Sequence, residues 1–363
     1  MKLDTDAAII GAGPIGIELA GAFKRAGYSY LHFETGQIGQ TITQYARFAR
    51  FFSSPERLAI AGIPIQTPEQ EQVTGEVYLA YLRSVVEILD LDIRTFERVV
   101  SAAPISPEDG GTQGFLITTE VREGRKEYRV GKLIFATGDM TEATRLGIPG
   151  EDLPHVTHYF VDPHLYFRRK LLVVGGRNSA MEAALRSFRS GAEVAVSYRG
   201  DGLDARRLNS RLHLEMSILT RKGYVGFFPR TVPVEIRAST VVLRKTGSEG
   251  EPLETIEVPA DFVALCTGYS ADQSLLRELG VRFDAEEIPF SDPETLETNV
   301  PGVYVAGTAV GGNQHRYHIF IGTAHEHTAR IFRAITGRET PDYGTIRARR
   351  YPFAISDIQP EGQ

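Results

Sequence analysis

The residues of this chain whose types and spacing most directly permit chemistry are glycines. Gly11, Gly13 and Gly16 are spaced G-x-G-x-x-G after the apolar stretch "DAAII" and before the helical pattern "IGIELAGAFKRAG". A glycine at the first position permits a tight turn, the second lets a phosphate approach the backbone, and the third lets the helix pack close to the strand. The helix start then offers free N–H groups and a partial positive charge to a pyrophosphate. Glu34 ends the next apolar stretch, "YLHFE", where a carboxylate can accept hydrogen bonds from ribose hydroxyls. Its charge repels a 2′-phosphate, so this site suits FAD or NAD rather than NADP. The grammar restarts at "VVGGRNSAMEAAL", which places Gly175, Gly176 and Ala180 at a second strand–helix junction. Arg177 takes the middle glycine's position, where it either contacts a phosphate or faces solvent. The next strand ends "SYRGD", with Arg199 where an acid would mark NAD. Arg199, with Arg206 or Arg207 as further candidates, can fork a guanidinium onto a 2′-phosphate. On that reading the second site takes NADPH; helix capping or a surface role is the alternative.

The single cysteine, Cys266, excludes an intrachain disulfide, a CxxC redox pair and a cysteine-based metal site, and it fits a reducing cytoplasm. It ends the apolar strand in "DFVALCTGY" and reads as a small buried hydrophobe. Four histidines fall late, at 315, 318, 325 and 327, with no carboxylate or cysteine at ligand spacing. No metal is expected from them; a polar cluster facing the flavin or substrate and a structural role both stay open. His315, after the glycine-rich "AVGGNQ", is the first candidate for contact with flavin or acceptor, and Tyr351 and Phe353 lie in a tail that either covers the flavin or packs on a neighbour.

These residues need elements to hold them. The chain has 363 residues, 42% of them hydrophobic and 24% charged, enough for two cores. A net charge of −6 argues against nucleic acid or an anionic membrane as partner. Asp4, Asp6 and Glu18 flank or interrupt the first apolar run, so it reads as a strand and turn rather than a leader, and no stretch is long and apolar enough to span a membrane. The pattern predicts a strand over Tyr30–Glu34, a helix over Glu76–Leu91, short β segments from Val99 to Val130, a strand over Lys132–Gly138 and a helix near Thr323–Thr336. The expected fold is α/β, with two Rossmann-like dinucleotide-binding domains and β-meander insertions. The first domain is discontinuous, 1–152 and 294–363, and holds the site that suits FAD or NAD; the second, 153–293, carries NADPH.

Five segments carry a resemblance: "FFSSPERLAIAGIPI", "IPGEDLPHVTHYF", "VVGGRNSAMEAAL", "PADFVALCTGY" and "ETNVPGVYVAG". With them the chain resembles the thioredoxin-reductase-like flavoproteins and, more narrowly, is similar to the bacillithiol disulfide reductase family. The resemblance runs through nearly the whole chain. It implies a homo-oligomer with FAD in the first domain and NADPH in the second. Carried over residue by residue, the flavin site is Gly11, Gly13, Pro14, Ile15, Gly16, Glu34, Gly39, Gln40 and Thr41, then Val100, Ala136, Thr137, Gly138, Gly307 and Thr308. The NADPH site is Gly175, Gly176, Arg177, Asn178, Ser179, Ala180, Arg199 and Arg206. Two positions depart from the family. Gly307 is followed by Thr308, where many such domains have an acid, and Ile15 stands where bacillithiol-linked members carry a cysteine.

A thiolate relay needs a thiol, and Ile15 cannot form a mixed disulfide. If the acceptor is a small-molecule disulfide, the flavin must reduce it directly. A ferredoxin, a flavodoxin or a quinone is the alternative acceptor, and a slow-turnover flavin redox sensor is the alternative of another class.

Overall fold

The structure, a computed structural model, describes residues 3–69, 71–105, 114–247, 251–313 and 319–341. The chain forms two compact units. The first comprises Met1–Thr43, Phe48–Glu142 and Ser270–Gln363, and the second Gln44–Arg47 and Ala143–Tyr269.

The first unit is built on a four-stranded parallel sheet in the order Val303–Val305, Leu133–Phe135, Ala7–Ile10, Tyr30–Phe33. Its register pairs Ala7 with Tyr30, Ala8 with Leu133 and Val303 with Leu133. All four residues of Ala7–Ile10 are buried, which is why this strand reads as an unbroken apolar run: a parallel strand covered on both faces has no polar side to alternate with. The helix Pro14–Ala26 follows it, with proline in the first turn, where a missing N–H costs nothing. The meander is present as the antiparallel strands Arg98–Ile105, Gly114–Val121 and Gly124–Val130.

The second unit repeats the plan. Five parallel strands lie in the order Gly226–Pro229, Glu193–Tyr198, Lys170–Val174, Phe262–Leu265, Val156–Thr157. The helix Asn178–Arg189 sends Ala180, Met181, Ala184 and Leu185 into a core with Val173, Val194 and Ala264. This unit has its own antiparallel meander, Thr231–Ile236, Thr240–Thr246 and Pro252–Pro259. Two Rossmann-like units with meander insertions are the fold class that the glycine turns implied.

The unit boundaries fall at 142/143 and 269/270, not at 152/153 and 293/294, and the cores give the reason. Leu276, Leu279 and Val281 pack with Ile10, Phe33 and Val303 in the first unit. Ile148 and Leu153 pack with Leu172, Ile236 and Val263 in the second. Some element ends also shift. The predicted helix 76–91 runs from Gly75 to Ile88, with the Thr74 hydroxyl accepting Val77 N–H at 3.3 Å. The strand predicted over 132–138 is Leu133–Phe135; Ala136 N–H still donates to Ile10 O at 2.8 Å, and its carbonyl lies against the first glycine turn.

Candidate functional site

The first turn is set by close approach. Gly11 has φ +103°, and a Cβ there would stand 2.5 Å from Ala136 O. A Cβ at Gly16 would stand 2.0 Å from Gly11 O, so the helix can lie on the turn only through a glycine. Gly13 differs: it is extended, it is the N-cap of Pro14–Ala26, and a Cβ there meets nothing within 4 Å. Its open side lies at the helix start, whose first N–H groups have no intrahelical acceptor. That room and that polarity fit a bound pyrophosphate.

Other predicted residues converge on this turn. Gly39 N–H donates to Ala12 O at 2.9 Å and precedes the short helix Gln40–Thr43, which contains Thr41. Ala136 N–H donates to Ile10 O at 2.8 Å, and a Cβ at Gly138 would be 3.7 Å from Thr308 Oγ1. Ile15 is 6% exposed, and a Cβ at Gly307 would stand 3.4 Å from Ile15 Cβ. The residue in the relay position thus packs the first turn against the last loop. Val100 lies on the meander, at the irregularity between Val99 and Ser101.

Glu34 does more than wait for a ribose. Its Oε2 accepts Ala12 N–H at 2.7 Å and its Oε1 accepts Gly36 N–H at 2.9 Å. Each oxygen has a further lone pair for a ribose hydroxyl. Three further groups hold this region, of which sequence reasoning passed over His32. His32 Nε2 lies 3.0 Å from Gly11 O. Gly307 N–H donates to His327 Nδ1 at 3.1 Å, so that ring is neutral; burial first, then the nearby Arg330 and His325 charges, push its pKa down to about 4. Buried Glu18 accepts Ala61 N–H at 3.1 Å and meets His325 Nδ1 at 2.9 Å, tying the first helix to Ile321–Thr336. A lone polar residue in an apolar strand or helix face, as at His32 and Glu18, was the available signal.

The late histidines are therefore two cases: His325 and His327 have these structural partners, while His315 and His318, like Tyr351 and Phe353, lie outside the described residues. Among the described residues no group of three or more His, Cys, Asp or Glu could hold a metal ion, and no helix is long and apolar enough to cross a membrane.

In the second unit, Gly175 has φ +141°, and a Cβ there would stand 2.4 Å from Cys266 O and 3.0 Å from Ala180 Cβ. Ala180 therefore serves where a third glycine would. Arg177 is the extended N-cap of Asn178–Arg189, and exposed Ser179 follows in the first turn. Asn178 Oδ1 accepts Asn209 N–H at 2.8 Å, so that side chain holds the start of the helix Ser210–Arg221. Gly176 faces Tyr198: a Cβ there would stand 2.2 Å from the ring. Arg199, the next residue, is exposed and has no partner among the described residues. Arg206 is committed to Asp204, with Nε–Oδ1 at 3.1 Å and Nη2–Oδ2 at 3.2 Å, and Arg207 Nε lies 3.6 Å from the same carboxylate. Burial pushes the Cys266 thiol up to about 12, so it is a protonated, poor nucleophile.

Residues 8–307 match the family of pyridine nucleotide-disulphide oxidoreductases. Over 334 residues the chain is 35% identical to the bacilliredoxin reductase of Bacillus subtilis, covering 92% of this chain and 98% of that protein. Over 310 residues it is 29% identical to a ferredoxin–NADP reductase of Ignicoccus hospitalis, covering 83% and 89%. The solved bacillithiol disulfide reductase of Bacillus cereus superposes with a TM-score of 0.84 at 32% identity, covering 92% of this chain and 99% of that one.

The open side of Gly13 gives a test of the first site. Gly13→Val is expected to fold, since its side chain enters open space, but to lose FAD. Thermal unfolding and flavin absorbance of the purified variant check this; a folded Gly13→Val that keeps its flavin would contradict the assignment.

Proposed function

The chain belongs to the pyridine nucleotide-disulphide oxidoreductase family, among the thioredoxin-reductase-like flavoproteins related to bacillithiol disulfide reductase, and its cofactors are FAD and NADPH; from that premise we propose that it passes electrons from NADPH through FAD to an acceptor without a protein cysteine relay. The observation that carries this reading is Ile15, buried against Gly307 where a relay thiol would stand, in a chain whose one thiol is desolvated in the second unit.

FAD, when bound, supplies the hydride and electron chemistry. The protein's part is placement. In the first unit the Gly11–Gly16 turn and helix start take the pyrophosphate, and Glu34 takes the ribose while bracing the turn. Ile15 and Gly307 close the space between the first turn and the last loop with apolar contact, which excludes water. In the second unit Gly175, Gly176 and Ala180 form the turn, and Arg199 offers its guanidinium to the 2′-phosphate. Arg206 contributes there only by giving up Asp204.

A small-molecule disulfide is the acceptor that the named activity of the relatives favours. The balance is then NADPH, a proton and RSSR giving NADP⁺ and two RSH, with no sulfur of this chain entering the exchange. A second reading, a redox-protein acceptor such as a ferredoxin or flavodoxin, is favoured by the ferredoxin–NADP reductase relative and by the missing cysteine. A homo-oligomer in a reducing cytoplasm goes with either reading.

Two outcomes are expected. Arg199→Ala should weaken NADPH about 10- to 100-fold, the worth of one charge-assisted phosphate contact of roughly 1.5–3 kcal/mol, and leave NADH nearly unchanged; flavin reduction rates at matched low concentrations measure it, and an unchanged preference would count against the site. Cys266→Ser should turn over at the wild-type rate with bacillithiol disulfide, ferredoxin or whichever acceptor reoxidises the flavin. Loss of turnover in a folded Cys266→Ser protein would show that a thiol participates.

A further inference from the structure

His32 is an imidazole where the fold calls for an apolar side chain. It lies in the strand Tyr30–Phe33, is 1% exposed, and its Nδ1 has no hydrogen-bond partner among the described residues. Burying a polar ring with one nitrogen unsatisfied is unfavourable, so its other nitrogen is where a compensating role lies. That nitrogen, Nε2, is 3.0 Å from Gly11 O. A carbonyl only accepts, so Nε2 carries the proton and the ring is the neutral Nε2–H tautomer. Burial, which pushes the His32 pKa down to about 4, favours the same state.

The Gly11 carbonyl has no donor from the helix above it, whose first bond runs from Ile17 N–H to Gly13 O at 3.0 Å. The N–H of the same peptide group, on Ala12, donates to Glu34 Oε2 at 2.7 Å. The preceding N–H, on Gly11, donates to Phe33 O at 2.8 Å. Three consecutive residues, His32, Phe33 and Glu34, therefore grip three consecutive polar groups of the turn. The Gly11–Ala12 peptide plane is held at its oxygen by His32 and at its hydrogen by Glu34.

We propose that His32 is a positioning residue for the dinucleotide: by holding the Gly11 carbonyl it fixes the Gly11–Ala12 peptide plane, so the turn is already formed when the pyrophosphate arrives. Gly11 has φ +103°, a region that glycine reaches without strain but is not confined to. Without the imidazole the plane is held at one end only, and ordering the turn becomes part of the cost of binding. The inference rests on the reading that the first turn takes the pyrophosphate of FAD.

Apo-protein of wild type, His32→Leu and His32→Gln, each titrated with FAD and followed by flavin fluorescence, tests it. Gln places an amide N–H near the position of Nε2, whereas Leu places none. His32→Leu should bind FAD about tenfold or more weakly, and His32→Gln within about threefold of wild type. A general loss of core stability would not be rescued by Gln. Wild-type affinity in His32→Leu, or an equal loss in His32→Gln, would overturn the proposal. If His32→Leu does not fold, His32→Asn replaces it: its amide is too short to reach Gly11 O, so it should bind weakly where Gln binds well, and equal binding by the two would overturn the proposal. Failure of wild-type apo-protein to bind FAD would instead remove the site reading itself.

Discussion

The first unit depends on how little room surrounds the Gly11 peptide. Its carbonyl lies where a Cβ at Gly16 would be, and its own Cβ direction points at Ala136 O. Only glycine satisfies both limits, and the helix Pro14–Ala26 can start where it does only because both are met. The consequences extend outward. The helix start carries Ile15 into contact with Gly307, Gly307 gives its N–H to His327, and the helix bearing His327 also bears His325, which returns to Glu18 on the first helix. Turn, helix and last loop are one closed circuit of contacts.

The second unit meets the same constraint with different materials. Cys266 O takes the place of Ala136 O, and Ala180 stands in the third glycine's position, its methyl group 3.0 Å from where a Cβ at Gly175 would be. The two sites diverge where the next strand ends. In the first, Glu34 is anionic and tied to the turn by two backbone N–H groups. In the second, Arg199 is cationic, exposed and unpaired among the described residues. A carboxylate tied to backbone suits ribose hydroxyls, and an unpaired guanidinium suits a phosphate dianion. One architecture thus presents opposite polarity at its two glycine turns.

Much of this is legible in the sequence, because close backbone approach demands glycine and little else can substitute. Gly11, Gly16 and Gly175 announce their turns, and the buried strand Ala7–Ile10 announces itself by lacking any polar residue. What sequence reasoning missed depends on partners distant in the chain. His32 reads as one polar residue in a strand until Gly11 O is placed beside it. His327 reads as one of four histidines until Gly307 is placed on it. Glu34 was legible as a ribose ligand, but not as a brace of Ala12 and Gly36. Arg206 looked as available as Arg199 because the sequence does not reveal that Asp204 turns back onto it. The boundary near residue 293 was misplaced because Leu276, Leu279 and Val281 have ordinary core spacing, and which of two cores they join is decided by packing alone.

The central claim is that electrons leave the flavin without passing through a sulfur of this chain. Anaerobic titration of the purified flavoprotein with NADPH, followed by flavin absorbance, tests it most directly. With Ile15 in the relay position and the partly buried Cys266 held as a thiol, full reduction should consume two electrons per FAD. Consumption of four, as a disulfide reduced alongside the flavin would require, would contradict the account.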